Sequence, residues 1–240
     1  MWAEEPMRRL TTAISALGLA AVFLAPQTAS AQQSLNLSIG GFVPAGEDSR
    51  GDIDGGDVLV NNLDFLAFNV KDFKGASFGA EYIVGLTPFI DASLGIAGYR
   101  RTVPTVYADL VNVNGSEIEQ DLKLRVIPFT ATVRFLPVGR DAGLIPYIGA
   151  GVGVFNWRYV ESGDWVDSND DIYRDSFVGS GTATGPVILG GLRIPAGAWN
   201  IGGEVRWQKA KGDLPASESF SADSINLGGW TYSATFNIHF

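Results

Sequence analysis

Cysteine is missing from the whole 240-residue sequence, which removes disulfides, thiolate chemistry and cysteine metal sites together. Stability must come from packing and hydrogen bonding. Histidine is nearly as scarce. The single His239 lies one residue from the C-terminus, and no serine is tied to it by local spacing, so a serine nucleophile with a positioned base is not expected. Basic residues are outnumbered, 17 against 26, and a net charge of -9 gives no electrostatic footprint for nucleic acid. Nothing in the chain reads as a linker. A long apolar run is also lacking: Ala13–Leu24 is roughly 12 residues where a helical bilayer span needs roughly 20.

Glycine (30 residues) and aromatics (11%) are plentiful, while charge is modest at 18%. That mixture suits sheets with tight turns and a partly apolar exterior better than disorder. The chain start reads as a secretory signal: Arg8 and Arg9 form a positive start, Ala13–Leu24 an apolar stretch, and Ala29-Ser30-Ala31 a small-residue cleavage site. Glu4 and Glu5 do not suit such a signal, which makes Met7 an alternative start to Met1. The domain reading is a cleaved signal over residues 1–31 and a single β domain over residues 32–240. Removing the signal deletes two acids and two bases and leaves the charge at -9.

Period-two segments bounded by turn residues predict eight strands: Leu35–Val43, Ala76–Leu86, Ile90–Arg100, Asp121–Phe135, Tyr147–Tyr159, Ser180–Ile194, Trp199–Gln208 and Ile225–Phe240. Their connections alternate in length. Thr87–Phe89, Leu136–Pro146 and Pro195–Ala198 are short, whereas Pro44–Gly75, Arg101–Gln120, Val160–Gly179 and Lys209–Ser224 are long. A soluble barrel has no reason to keep every long loop at one end. The expected fold is therefore all-β, an eight-stranded antiparallel transmembrane up-and-down β-barrel with short periplasmic turns and long extracellular loops.

The seventh strand sets Trp199, Ile201, Val205 and Trp207 toward lipid and Asn200, Glu204, Arg206 and Gln208 toward the lumen. The third strand divides in the same way. The fourth changes phase: Leu122, Leu124 and Val126 share one parity, Phe129, Ala131, Val133 and Phe135 the other, which predicts a bulge at Pro128. Gly149, Gly151 and Gly153 are expected to point inward. The sixth strand shows no readable phase.

On these phases Glu81, Asp91, Arg134, Glu204 and Arg206 face the interior, where charges must pair or meet water. They read as a structural polar network, or alternatively as the lining of a narrow conduit; a barrel of eight strands has no room for a wide channel. His239 reads as an inward polar residue at the rim. Glu117, Glu119, Asp170 and Asp171 read as solvated loop acids. Asp48, Asp52, Asp54 and Asp57 could offer oxygen ligands to calcium, but their spacing departs from the EF-hand loop, and a solvated acidic loop is the better reading. No cofactor, metal site or catalytic residue is expected. Val58–Phe73 is apolar for a loop, suited to folding over the barrel mouth or touching lipid or a partner.

The last strand alternates Trp230, Tyr232, Ala234, Phe236, Ile238 and Phe240 against polar residues. Its aromatic ending, carried by Tyr232, Phe236, Ile238 and Phe240, resembles the C-terminal signal read by the outer-membrane barrel assembly machinery. Together with Ile127–Phe135 and Pro146–Gly153, it makes the chain resemble the small outer-membrane β-barrel family that includes the OmpA membrane domain and the OmpW-like proteins. The resemblance implies an outer-membrane location, with lipids and the assembly machinery as partners. Members range from structural anchors and adhesion proteins to proposed carriers of small hydrophobic compounds. Unlike OmpA, this chain carries no periplasmic peptidoglycan-binding domain after the barrel, so cell-wall anchoring is not expected. The leading functional expectation is a non-enzymatic structural or surface-interaction role, with narrow transport as the first alternative and a lipid-modifying enzyme as the second; ligand and oligomeric state are not readable.

Overall fold

The computed structural model describes residues 32–50, 56–167, 169 and 171–240. The proposed signal, together with Asp52, Asp54 and Asp170, lies outside the described residues. Ten strands are present among them: β1 (Gln33–Pro44), β2 (Gly75–Thr87), β3 (Ile90–Val111), β4 (Glu117–Phe135), β5 (Ile145–Val166), β6 (Ile172–Ala196), β7 (Trp199–Gln208), β8 (Lys211–Asp213), β9 (Ser224–Asn226) and β10 (Gly229–His239). Eight of them close an antiparallel barrel in the order β1-β10-β7-β6-β5-β4-β3-β2, while β8 and β9 pair separately within the connection from β7 to β10. The seam joins chain ends, from Ser34 opposite His239 to Pro44 opposite Gly229. Among the described residues no helix is long and apolar enough to cross a membrane.

Closure leaves no open edge through the barrel proper, so every strand can meet lipid without stranding backbone donors. Its outer face is apolar and uncovered: Ile39, Phe78, Ile96, Val133, Ile148, Val152, Ile188, Ile201 and Tyr232 are all exposed. An uninterrupted apolar band of this kind is solvated by lipid, not by water.

The strands are very unequal. β1, β2, β7 and β10 have 10 to 13 residues, close to the roughly 9–11 that cross a bilayer. β3, β4, β5 and β6 have 19 to 25. Much of the expected long loops Arg101–Gln120 and Val160–Gly179 is therefore strand, and the two hairpins stand well beyond the bilayer. The expected eighth strand is also corrected. It divides at Leu227-Gly228, and β10 begins at Gly229, where a Cβ would sit 2.3 Å from the Val43 carbonyl oxygen.

The bulge expected at Pro128 is not formed. Register with β5 runs unbroken through Pro128 opposite Phe155, and register with β3 is the same on both sides of the proline. One face of β4 points inward along its whole length: Leu122, Leu124 and Val126, then Thr130, Thr132 and Arg134, are all buried. What changes is the surroundings. Below Pro128 the strand faces lipid outside and a polar lumen inside; above it water lies outside and an apolar core inside. The apolar residues switch parity because the environment inverts, not because the backbone slips. β5 inverts at the same level, with Val152 and Val154 exposed outside and Phe155, Trp157 and Tyr159 buried inside. β6 follows, and the phase unreadable in the sequence is plain: Phe177, Ala183, Val187, Leu189 and Arg193 point in.

Candidate functional site

The barrel interior is a stack of three chemically distinct layers. At the level of the bilayer, Glu81 of β2, Arg134 of β4, and Glu204 and Arg206 of β7 meet across the lumen. Arg134 is fully buried, and its Nη2 donates to both Glu81 and Glu204. Arg206 donates from Nη2 to Glu204 at 2.8 Å and lies 3.5 Å from Glu81, while its Nη1 reaches Thr130 Oγ1 at 3.3 Å. Ser93 donates to Glu81 at 2.9 Å and Tyr147 donates to Glu204 at 3.1 Å. Two acids and two bases cancel, and hydroxyls satisfy further lone pairs of the carboxylates, which lowers the cost of keeping these groups ionised in the interior, while Arg134 Nε and Nη1 find no acceptor among the described residues. Tyr147 lies along the inner wall over Gly191 of the neighbouring strand, where a Cβ would meet its hydroxyl at 2.5 Å, and so reaches Glu204 on β7.

Four of the five interior charges expected from the sequence thus come together. Asp91 points inward as expected but belongs to a separate cluster at the end bearing the short turns. There Arg140 Nη2 and Arg193 Nη1 each reach one Asp91 oxygen at 3.0 Å. They line an opening of about 240 Å³ with Asn200 and His239. Sequence reasoning missed both arginines, since Arg140 sits in a turn and Arg193 on the unphased strand. The inward parity of Arg193 could have been inferred from its pairing position opposite the interior face of β5.

Above the charged layer lies a cavity of about 50 Å³, bounded below by Glu81, Glu204 and Arg206 and above by Phe42, Tyr99 and Val126. A water needs roughly 10–15 Å³, so the space holds a few waters. Over it the mouth is filled by protein. Of the roles open to Val58–Phe73, the structure shows entry into the mouth. A one-turn helix, α1 (Val58–Asn61), and short 3-10 turns place Leu59, Leu66, Val70 and Phe73 against Trp157 and Tyr159 of β5 and Ile225 and Leu227 near β9.

Two polar clasps hold this plug. Asp57, expected as a solvated acid, is instead fully buried. It pairs with Arg50 at 2.9 Å, caps α1 through the Leu59 amide, and accepts from the Asn226 amide at 2.6 Å. Glu161 of β5 accepts from Asn62 at 2.6 Å and from Tyr159 at 2.9 Å, and Asn62 in turn accepts from Ser221. Burial pushes the Glu161 carboxyl above its usual range, against the smaller lowering effect of the two donors. Burial, then the neighbouring Glu161, raises the Tyr159 hydroxyl well above its own. Among the described residues no group of three or more metal-ligating side chains is found. Glu117, Glu119 and Asp171 are exposed as expected.

Tyr232, Ile238 and Phe240 lie on the outer face, exposed; Phe236 faces the same way, half-buried against Trp199 at 5.1 Å. No protein-family model matches the chain, and no curated protein matches it. Solved structures do. The outer membrane protein OprG of Pseudomonas aeruginosa superposes with a TM-score of 0.52 at 12% identity, covering 88% of this chain and 96% of that one. The chain has the fold of a small outer-membrane β-barrel. Outer membrane protein W of E. coli (TM-score 0.42, 15% identity, 88% and 98% covered) and the attachment invasion locus protein Ail of Yersinia pestis (0.47, 12%, 88% and 100%) are also similar. In this barrel, the short turns and both ends of the β domain lie together, opposite the tall hairpins.

Proposed function

We propose that the protein is a non-enzymatic barrel of the bacterial outer membrane whose tall hairpins and plugged mouth form a rigid surface platform for interaction outside the cell. The observation that carries this reading is the double occlusion of the lumen. A cross-lumen ion network fills the membrane level and an apolar plug fills the mouth, while about half of β3 to β6 is committed to structure beyond the bilayer. A pore has no use for either filling; a platform uses both, because they stiffen the wall that carries the hairpins. The outward row Tyr232, Phe236, Ile238 and Phe240 would then present the terminal strand to the assembly machinery before insertion into outer-membrane lipid. Planar-bilayer recording tests the reading: the intact barrel is expected to be silent, and discrete openings altered in a Glu204→Gln, Arg206→Gln double variant would replace it with a conduit.

One observation favours a second reading, transfer of a small apolar solute through the wall. Pairing of β3 with β4 stops at Ile96–Phe129 and resumes at Tyr99–Val126, because Pro128 has no backbone N–H to donate. The interrupted stretch borders the inner cavity, which Ala97 and Pro128 help to line. If solutes use this gap, Pro128→Val should slow uptake of an apolar dye into barrel-containing vesicles; unchanged uptake removes the reading.

A further inference from the structure

The opening at the turn end holds two arginines whose one buried counter-charge is shared between them. Asp91 is one carboxylate serving two guanidiniums, and both of its oxygens are already taken, by Arg140 and by Arg193. Arg193 is held rigidly: only 7% of its side chain is exposed and its guanidinium lies 4.6 Å from the centre of the Tyr147 ring. Its Nη2 nevertheless finds no acceptor among the described residues. Arg140 is likewise fixed, with Nη2 directed to the Thr87 and Ile90 carbonyls as well as to Asp91, and its Nε lacks an acceptor. The imidazole of His239 lines the same space with Nδ1 unpartnered, and the amide of Asn200 completes the wall. The remaining acid, Asp141, is exposed at the rim, where water screens it.

Inside the opening, then, two fixed guanidiniums share one buried carboxylate, with Asp141 out at the exposed rim. A guanidinium fork matches the two oxygens of a carboxylate or phosphate and binds them more strongly than it binds a neutral acceptor. At about 240 Å³ the space admits such a group with several waters, in contrast to the cavity above the ion network. We infer that this vestibule is a binding site for a small oxyanion, a phosphate or carboxylate group entering from the turn end, with Arg193 as the principal ligand and Arg140 as its charge partner. The site neither needs nor creates a path through the barrel, and so is independent of the lumen's conductance.

Inorganic phosphate and acetate are the probes. The refolded protein in zwitterionic micelles, labelled with 15N, is titrated with each at constant ionic strength while the arginine Nε–Hε signals are followed. Saturable shifts confined to Arg193 and Arg140 are expected. Arg193→Lys keeps the charge but loses the free Nη2 donor and should weaken binding by about tenfold or more. Asn200→Asp adds a carboxylate to the wall and should abolish binding; heat-modifiable gel mobility checks closure of each variant. Should Arg193→Lys fail to close, Asn200→Asp decides alone. Shifts that never saturate, or that saturate at the same midpoint in Asn200→Asp, overturn the proposal. Response to phosphate without acetate, or the reverse, assigns the anion class.

Discussion

Arg134 concentrates the energetics of the lumen in one side chain. It is fully buried, its Nη2 joins Glu81 to Glu204, and its guanidinium lies 5.2 Å from the Tyr147 ring centre. Removing it leaves two carboxylates facing each other with only Arg206 to neutralise them, the case in which loss of one buried partner is most costly. Arg134→Met should lower unfolding stability by about 3–5 kcal/mol, measured by urea titration of the folded barrel. Glu161 gives a prediction of opposite character, because among the described residues its partners are the neutral donors Asn62 and Tyr159. Its folded pKa is raised, so its contribution is complete below the ordinary carboxyl value near 4.5 and is lost as pH rises through the elevated folded value. The plug should loosen across that rise, seen as faster amide exchange over Val58–Phe73. Glu161→Gln keeps an acceptor for Asn62 and Tyr159 and should flatten the dependence; an unchanged pH profile in that variant would falsify the assignment. Alternation alone made Glu81, Arg134, Glu204 and Arg206 legible as interior, since a strand's parity fixes its face. Arg50, Asp57 and Glu161 were not legible, because their burial depends on chain that returns from elsewhere to cover them.

At the scale of the element, the instructive case is β4, whose apolar pattern changes parity at Pro128 while its backbone keeps register. Period-two reasoning assumes that one solvent lies on each side of a strand. Here the solvents exchange places halfway along it, so a straight strand imitates a bulged one. The same exchange concealed the upper half of β6, where Phe177 and Ala183 are buried while Arg174, Ser176, Ser180 and Thr182 are exposed, and made it read as a loop. The upper half of β5 should accordingly behave as a soluble core strand. Trp157, buried with Phe155 and Tyr159, packs over Gly212, where a Cβ would lie 2.4 Å from the indole. Trp157→Ala should cost about 3–5 kcal/mol and release the plug, read as accelerated exchange in β8 and over Val58–Phe73. An equally large effect on amides of β1 and β2 near the turn end would mean that the two halves are not separate layers.

For the whole molecule, the layers act as two barriers in series, and that arrangement sets what any single change can do. An ion entering from the loop end must first displace an apolar plug anchored by Asp57 and Glu161, then cross a lumen spanned by Arg134 and Arg206. Opening one barrier leaves the other intact. Leu59→Asp with Phe73→Asp places two charges in the buried face of the plug and should drive it from the mouth, since each carboxylate would be taken out of water into an apolar cluster. Conductance should stay negligible, because the ion network below is built on β2, β4 and β7 and does not depend on the plug. Combining those changes with Glu204→Gln and Arg206→Gln should produce small, discrete currents, limited by an eight-stranded bore that side chains nearly fill. Current from the plug variant alone would show that the network is permeable as it stands, and the filled lumen could then no longer support a platform over a conduit.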